Sequence, residues 1–215
     1  MKLTFVYDEN KDANCLLNFG KTSLNSFQRT KVYEDLMSFS LQKPDISVSK
    51  MFIRTYIRDN KVNIEGLIKL YQKEWNSIAN TFQLRCEKLF EVKLPQDIIV
   101  YLTLNNRRPY SIAENYLFVT IPLKTARAIV MHELWHFYTW YKFGQTWESI
   151  IGKHNYNRIK ESLTVLINVE CLDLLPNGVT DSGYLQHNNF RNQIQSLWAQ
   201  KKDMNILWNE LIKKY

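Results

Sequence analysis

An α+β domain is the fold this sequence predicts, on three observations. Two short runs, DIIVYLTL at 97–104 and YLFVTI at 116–121, are dense in β-branched and aromatic residues and bounded by turn chemistry. Around them, apolar residues recur at helical spacing over several longer stretches. Hydrophobic residues make up 45% of the 215-residue chain and Gly and Pro are scarce, so a sizeable core is expected and global disorder is not.

Taken in order, Lys2 to Tyr7 reads as a short strand and Asp8 to Leu24 as loop. Ser26 to Phe39 carries Phe27, Val32, Leu36 and Phe39 at helical spacing, with Pro44 just beyond. Met51 to Ile57 alternates in part and reads as a strand. Asn63 is the expected N-cap of a long helix reaching Phe90, striped by Leu67, Leu70, Tyr71, Trp75, Ile78, Phe82 and Leu89 as core. After the first clear strand, Asn105 to Pro109 is turn chemistry; the second strand is closed by Pro122. A helix is expected from about Lys124 to Phe143, with Gly144 as its C-cap. Further helices are expected over Tyr156 to Leu175, His187 to Lys201 and Met204 to Lys214. The chain is read as one domain, or as two lobes of about 1–144 and 145–215, the border lying near Gly144 to Asn155.

The net charge is +7, but the basic residues are scattered, with only the pairs Arg107–Arg108, Lys201–Lys202 and Lys213–Lys214 adjacent. Solvated helix faces and a turn explain them, and no nucleic-acid partner is expected. Cys15, Cys86 and Cys171 are widely spaced without a CxxC, which argues against a zinc knuckle or a disulfide framework. No stretch suits a membrane span, the N-terminus lacks signal-peptide features, and a reducing, cytoplasmic location is expected.

Chemistry concentrates in residues 129–140, IVMHELWHFYTW, which contain H-E-x-x-H as His132, Glu133 and His136. Histidines four apart on a helix share a face and can grip one ion. Zn2+ suits two nitrogens, one further ligand and an open position. Glu133, one residue round from His132, is placed to act as general base on a metal-activated water. Two imidazoles and a carboxylate on an otherwise apolar helix carry a burial cost that such a site would explain.

On these residues the sequence resembles the zincin metallopeptidases, through HELWH with its apolar flanks and, more loosely, the strand and helix order from Asp97 to Leu175. The resemblance implies a zincin-like fold: a small mixed sheet with a backing helix, an active-site helix, a glutamate helix and C-terminal helices. It implies a zinc metallopeptidase acting on a peptide or protein substrate. The metzincin pattern is excluded, since Thr139 and Lys142 stand where its Gly and third His belong. The gluzincin branch takes its third ligand from a later helix, and Glu161, 25 residues after His136 in an apolar run, is similar to that glutamate. The acid that gluzincins often place one turn later is replaced by Val165, leaving Thr164 or Asn168 as supports. Asp181, His154 and Glu148 are the rival ligands. The resemblance further implies an oxyanion stabiliser, for which Tyr184 and His187 are candidates, and a substrate-pairing edge strand, for which Tyr116, Leu117 and Phe118 stand in the right place. Cys15 is a candidate thiol cap on the metal. A catalytically quiet zinc-binding regulatory or sensor module is the alternative to an enzyme, and the intact Glu133 argues for the enzyme.

Overall fold

The computed structural model describes residues 1–19, 31–40, 44–121 and 124–215. Residues 20–24 of the expected loop, the 26–30 portion of the next helix with Phe27, and Pro122 lie outside them. The architecture is α+β, in two compact units: 1–75 with 95–126, and 76–94 with 127–215. Residues 144–155, where the sequence suggested a border, lie inside the second unit.

The first unit holds a four-stranded mixed sheet of β1 (Lys2–Val6), β2 (Asp97–Thr103), β3 (Tyr110–Ser111) and β4 (Tyr116–Thr120), in the order β1-β2-β4-β3. β1, β2 and β4 run parallel, in register Phe5↔Val100 and Val100↔Leu117, and β3 is antiparallel to β4. Alternation buries Leu3 and Phe5 of β1 and Ile98, Val100 and Leu102 of β2. On the outer side of β1, the Gln72 side chain accepts from Phe5 N at 3.2 Å and donates to Leu3 O at 3.1 Å.

Three expectations for this unit are corrected. The stretch from Asp8 is not loop: Asp8 Oδ1 accepts from Asn10 N and Lys11 N, capping helix α1 (Glu9–Phe19). Its Asp12 is buried against β2, where Oδ1 accepts from Thr103 Oγ1 (2.6 Å) and Leu104 N (3.0 Å). Met51 to Ile57 is not a strand but part of helix α3 (Ile46–Asp59), capped by Asp45 and buried through Ser49, Phe52 and Ile53 at helical spacing. Nor is β4 an edge. The chain leaving β2 doubles back as β3, so Tyr116 and Leu117 are paired on both sides and Phe118 N donates to Pro109 O. The main-chain groups proposed for substrate pairing are therefore already used within the sheet. Between these elements, α2 (Lys31–Phe39) has its expected form and Asn63 caps α4 (Ile64–Asn76) by accepting from Gly66 N. The long helix is interrupted, however: Ile78 has φ −120°, outside helical geometry, and α5 (Ala79–Phe90) begins after it.

The second unit is helical. α6 (Ala126–Thr139) is buried nearly all round, with Val130, Met131, Leu134, Trp135, Phe137 and Tyr138 inaccessible to solvent. Phe90 of α5 packs edge-on to Trp135 and stacks on Tyr138. Gly144 is not a C-cap. Its φ of −61° is helical, and the chain passes through a π turn at Trp140–Gly144 into α7 (Gln145–Ile151). A Cβ there would meet the Trp140 ring at 2.2 Å and the Tyr156 hydroxyl at 2.6 Å, so glycine is required for close approach. The expected Tyr156 to Leu175 helix is α8 (Lys153–Leu163), a 3-10 turn at Thr164–Leu166, and α9 (Ile167–Glu170). The chain then continues to α10 (Asn188–Gln200) and α11 (Met204–Ile212). Among the described residues no helix is long and apolar enough to cross a membrane.

Candidate metal centre

His132 and His136 stand on one face of α6, their ring centroids 4.6 Å apart and their planes at 81°. Glu161, two residues before the end of α8, faces both. Its Oε2 lies 3.3 Å from His136 Nε2 and 3.8 Å from His132 Nε2. One ligand atom from each of the three residues falls within 4.8 Å of the others. Zinc bonds of about 2.0–2.1 Å in a tetrahedron put neighbouring ligand atoms roughly 3.3 Å apart. The His136–Glu161 separation matches that value and the His132–Glu161 separation exceeds it by about 0.5 Å, and the two-nitrogen, one-oxygen chemistry suits such an ion.

The rival ligands stand elsewhere. Asp181 touches the opposite nitrogen of the same imidazole, its Oδ2 2.5 Å from His132 Nδ1. It takes the orienting role that the sequence left without an acid at Val165. With Nδ1 engaged by a carboxylate, Nε2 is the nitrogen turned to the metal position. His154 is exposed in the first turn of α8 and Glu148 lies in α7; neither joins the cluster. Cys15 is buried on α1 in the first unit, where its carbonyl and thiol both lie in reach of the Asn105 amide.

Thr164 and Asn168 both contact Asp181, and Thr164 also reaches the backbone of Glu161. The Thr164 hydroxyl lies 2.8 Å from Asp181 Oδ1 and 2.9 Å from Glu161 O, and its single proton serves one at a time. The Asn168 amide grips the Asp181 backbone both ways, donating to its carbonyl at 2.8 Å and accepting from its N–H at 2.7 Å. The turn from α8 into the 3-10 segment places Thr164 and Asn168 on the side where this loop passes.

Electrostatics favour ionised Glu161 and Asp181 carboxylates beside the histidines. Burial alone would lower His132, but hydrogen bonds to Asp181 and Glu161 and the charge of Glu133 push it up to about 10. Burial pushes His136 down, leaving its nitrogen lone pair available. Burial works against the Glu161 carboxylate, yet the facing imidazoles and Lys160 hold it far below the carboxylate range. Burial likewise opposes Asp181, which His132, Thr164 and Arg191 keep low.

Glu133 is buried on α6 with 7% of its surface exposed, one residue round from His132. Tyr184 is half exposed and packs edge-on to His187 at 5.8 Å. Burial lowers His187, against the opposing charge of Glu161. Two cations escaped the sequence reading. Lys160, buried, holds Glu161 Oε1 at 3.1 Å, and nothing in the KES tripeptide announces it. Arg191 pairs with Asp181 Oδ1 at 2.9 Å. It shares a helix face with Ile194 and Trp198, and a cation on an apolar stripe is the signal that points to a buried anion.

The chain matches no protein-family model, no curated protein and no solved structure. Its chemistry rests on its own geometry.

Proposed function

We propose that this chain is a zinc-dependent metallopeptidase of zincin-like fold and gluzincin-like ligand set, hydrolysing peptide bonds of a peptide or protein substrate. One observation carries the reading: a ligand atom from each of His132, His136 and Glu161 lies within 4.8 Å of the others, and the buried Glu133 stands on the helix of the two histidines. The chain order of small sheet, two-histidine helix and glutamate helix agrees with it. Zinc, when bound, supplies Lewis acidity that acidifies a water and polarises the scissile carbonyl.

The chain's own residues supply the remainder. Asp181 fixes the His132 ring and tautomer. Lys160 occupies one oxygen of Glu161 and leaves the other facing the imidazoles. Glu133 takes a proton from the attacking water as the new C–O bond forms, then gives it to the nitrogen as the C–N bond breaks. Tyr184 and His187 are the candidate donors to the oxyanion. A metal-holding module without catalysis has no use for the buried carboxylate of Glu133, which favours the enzyme. The three free, buried cysteines agree with a reducing, cytoplasmic setting.

The test is cleavage of a denatured protein substrate by purified chain, before chelation, after chelation and after zinc is restored. Zinc-restored cleavage that Glu133→Gln lacks is the expected result. Failure to take up zinc, or cleavage indifferent to chelation, overturns the reading.

A further inference from the structure

We infer that Arg191 is the positioning residue of the metal centre: it clamps Asp181 and the Glu161 turn together, and through them sets His132 and Glu161 for the ion. The inference rests on the zinc reading above.

Arg191 enters from α10 and is buried, with 5% of its side chain exposed. A guanidinium in that position is stable only if its donors are met. Here its two terminal nitrogens are met, and each acceptor lies on a ligand residue or one step from it. Nη2 donates to Asp181 O at 2.6 Å and to Asp181 Oδ1 at 2.9 Å. Nη1 donates to Thr164 Oγ1 at 2.8 Å and lies 3.5 Å from Glu161 O. The two carboxylate oxygens of Asp181 are thereby divided: Oδ1 to Arg191 and Thr164, Oδ2 to His132. The same planar fork reaches the histidine branch of the centre and the backbone of the glutamate branch.

Gly183 shows that the loop is shaped around this guanidinium. Its φ is +58°, and a Cβ there would fall 2.4 Å from Nη1 and 2.7 Å from Cζ. Lysine does not replace such a group, since one ammonium cannot span the Asp181 carbonyl, its carboxylate and the Thr164 hydroxyl with a fixed fork.

The experiment compares wild type, Arg191→Met, Arg191→Lys, Asp181→Asn and the Met/Asn double variant. Zinc affinity is read by chelator competition, and the His132 Nδ1–H resonance is read by NMR with and without zinc. Arg191→Met is expected to lose roughly ten- to a hundredfold in affinity, the scale for groups supporting a ligand, and to shift or lose that resonance. Arg191→Lys is expected to recover less than half of the loss on a logarithmic scale. The double variant is expected to lose less than the sum of the two single losses, because the arginine acts in part through that carboxylate. An arginine that only supports the fold would lower the melting temperature and leave affinity and resonance unchanged. That result, or full additivity in the double variant, overturns the inference. Should the methionine variant not fold, the lysine variant carries the same two readouts. If wild type takes up no zinc, the metallopeptidase reading fails by itself, and the resonance in metal-free protein still decides whether Arg191 sets His132.

Discussion

Asp181 and His132 are 49 residues apart in sequence, and their side chains meet at 2.5 Å between Oδ2 and Nδ1. This contact holds His132, one residue of the candidate metal centre, from a distant loop. Asp181→Asn keeps the shape and removes the charge. Its zinc affinity should fall by roughly ten- to a hundredfold, measured against a chelator of known strength. An unchanged affinity would show that the ring is oriented without the carboxylate.

Removing a ligand should cost more than removing a support. Wild type is expected to hold one zinc per chain by elemental analysis, and Glu161→Gln to lose at least roughly a hundredfold in affinity, beyond the scale for supporting groups. A variant that keeps stoichiometric zinc through dialysis would count against Glu161 as third ligand.

Glu133 is expected to separate binding from chemistry. Glu133→Gln should retain zinc and lose hydrolysis on the order of a thousandfold, within the range attributed to a positioned base. Comparable turnover in the two proteins would remove Glu133 from the reaction.

Asp12 gives a pH-dependent stability with a defined sign. Burial, opposed by its hydrogen bonds from Thr103 and Leu104, pushes it up to about 6, while Oδ2 has no hydrogen-bond partner among the described residues. In an unfolded chain the carboxyl titrates near about 3.9. Between those values the folded state binds more protons than the unfolded state, so this group's contribution is full below about pH 4 and lost as pH rises through about 6. Asp12→Asn removes that slope. Relative to wild type, the variant should gain on the order of 2–3 kcal/mol between those pH values and nothing further above them, by denaturant unfolding. Parallel pH profiles would contradict the raised carboxyl.

Gly144→Ala should destabilise, although alanine is the better helix former. The added methyl meets the Trp140 ring and the Tyr156 hydroxyl at closer than contact distance. Overpacking of this kind costs about 1–3 kcal/mol, which lowers the melting temperature by roughly 3–10 °C in a chain of this size. A melting temperature at or above wild type would show that the rings move aside freely.

What the sequence disclosed follows from how local each signal is. The two histidines and Glu133 lie within one helical turn and a half, so spacing alone places them. Glu161 was legible because a carboxylate in an apolar run needs a cation. Asp181 is named from sequence only as a rival ligand, because its place is tertiary: only the meeting of its loop with Thr164, Asn168 and Arg191 puts it on Nδ1 rather than Nε2. Within the sheet, β3 has two residues and leaves no periodic trace, so the cover on β4 could not be anticipated from the run YLFVTI. The α3 helix was misread because a seven-residue window of Met51 to Ile57 alternates; extending it back to the Asp45 cap restores the helical period. Gly144 illustrates the opposite trap, a residue type with two physical uses of which the sequence shows neither the torsion nor the neighbour.

The Gln72 amide at the outer side of β1 has a meaning for how this protein behaves in a crowd. An open strand edge is a template for a second chain, and fibrils begin by adding strands to such templates. Phe5 N and Leu3 O are the groups a newcomer would seek, and Gln72 already answers both with one donor and one acceptor. A single side chain thus imitates a neighbouring peptide unit, and recruitment at that edge would first have to displace it.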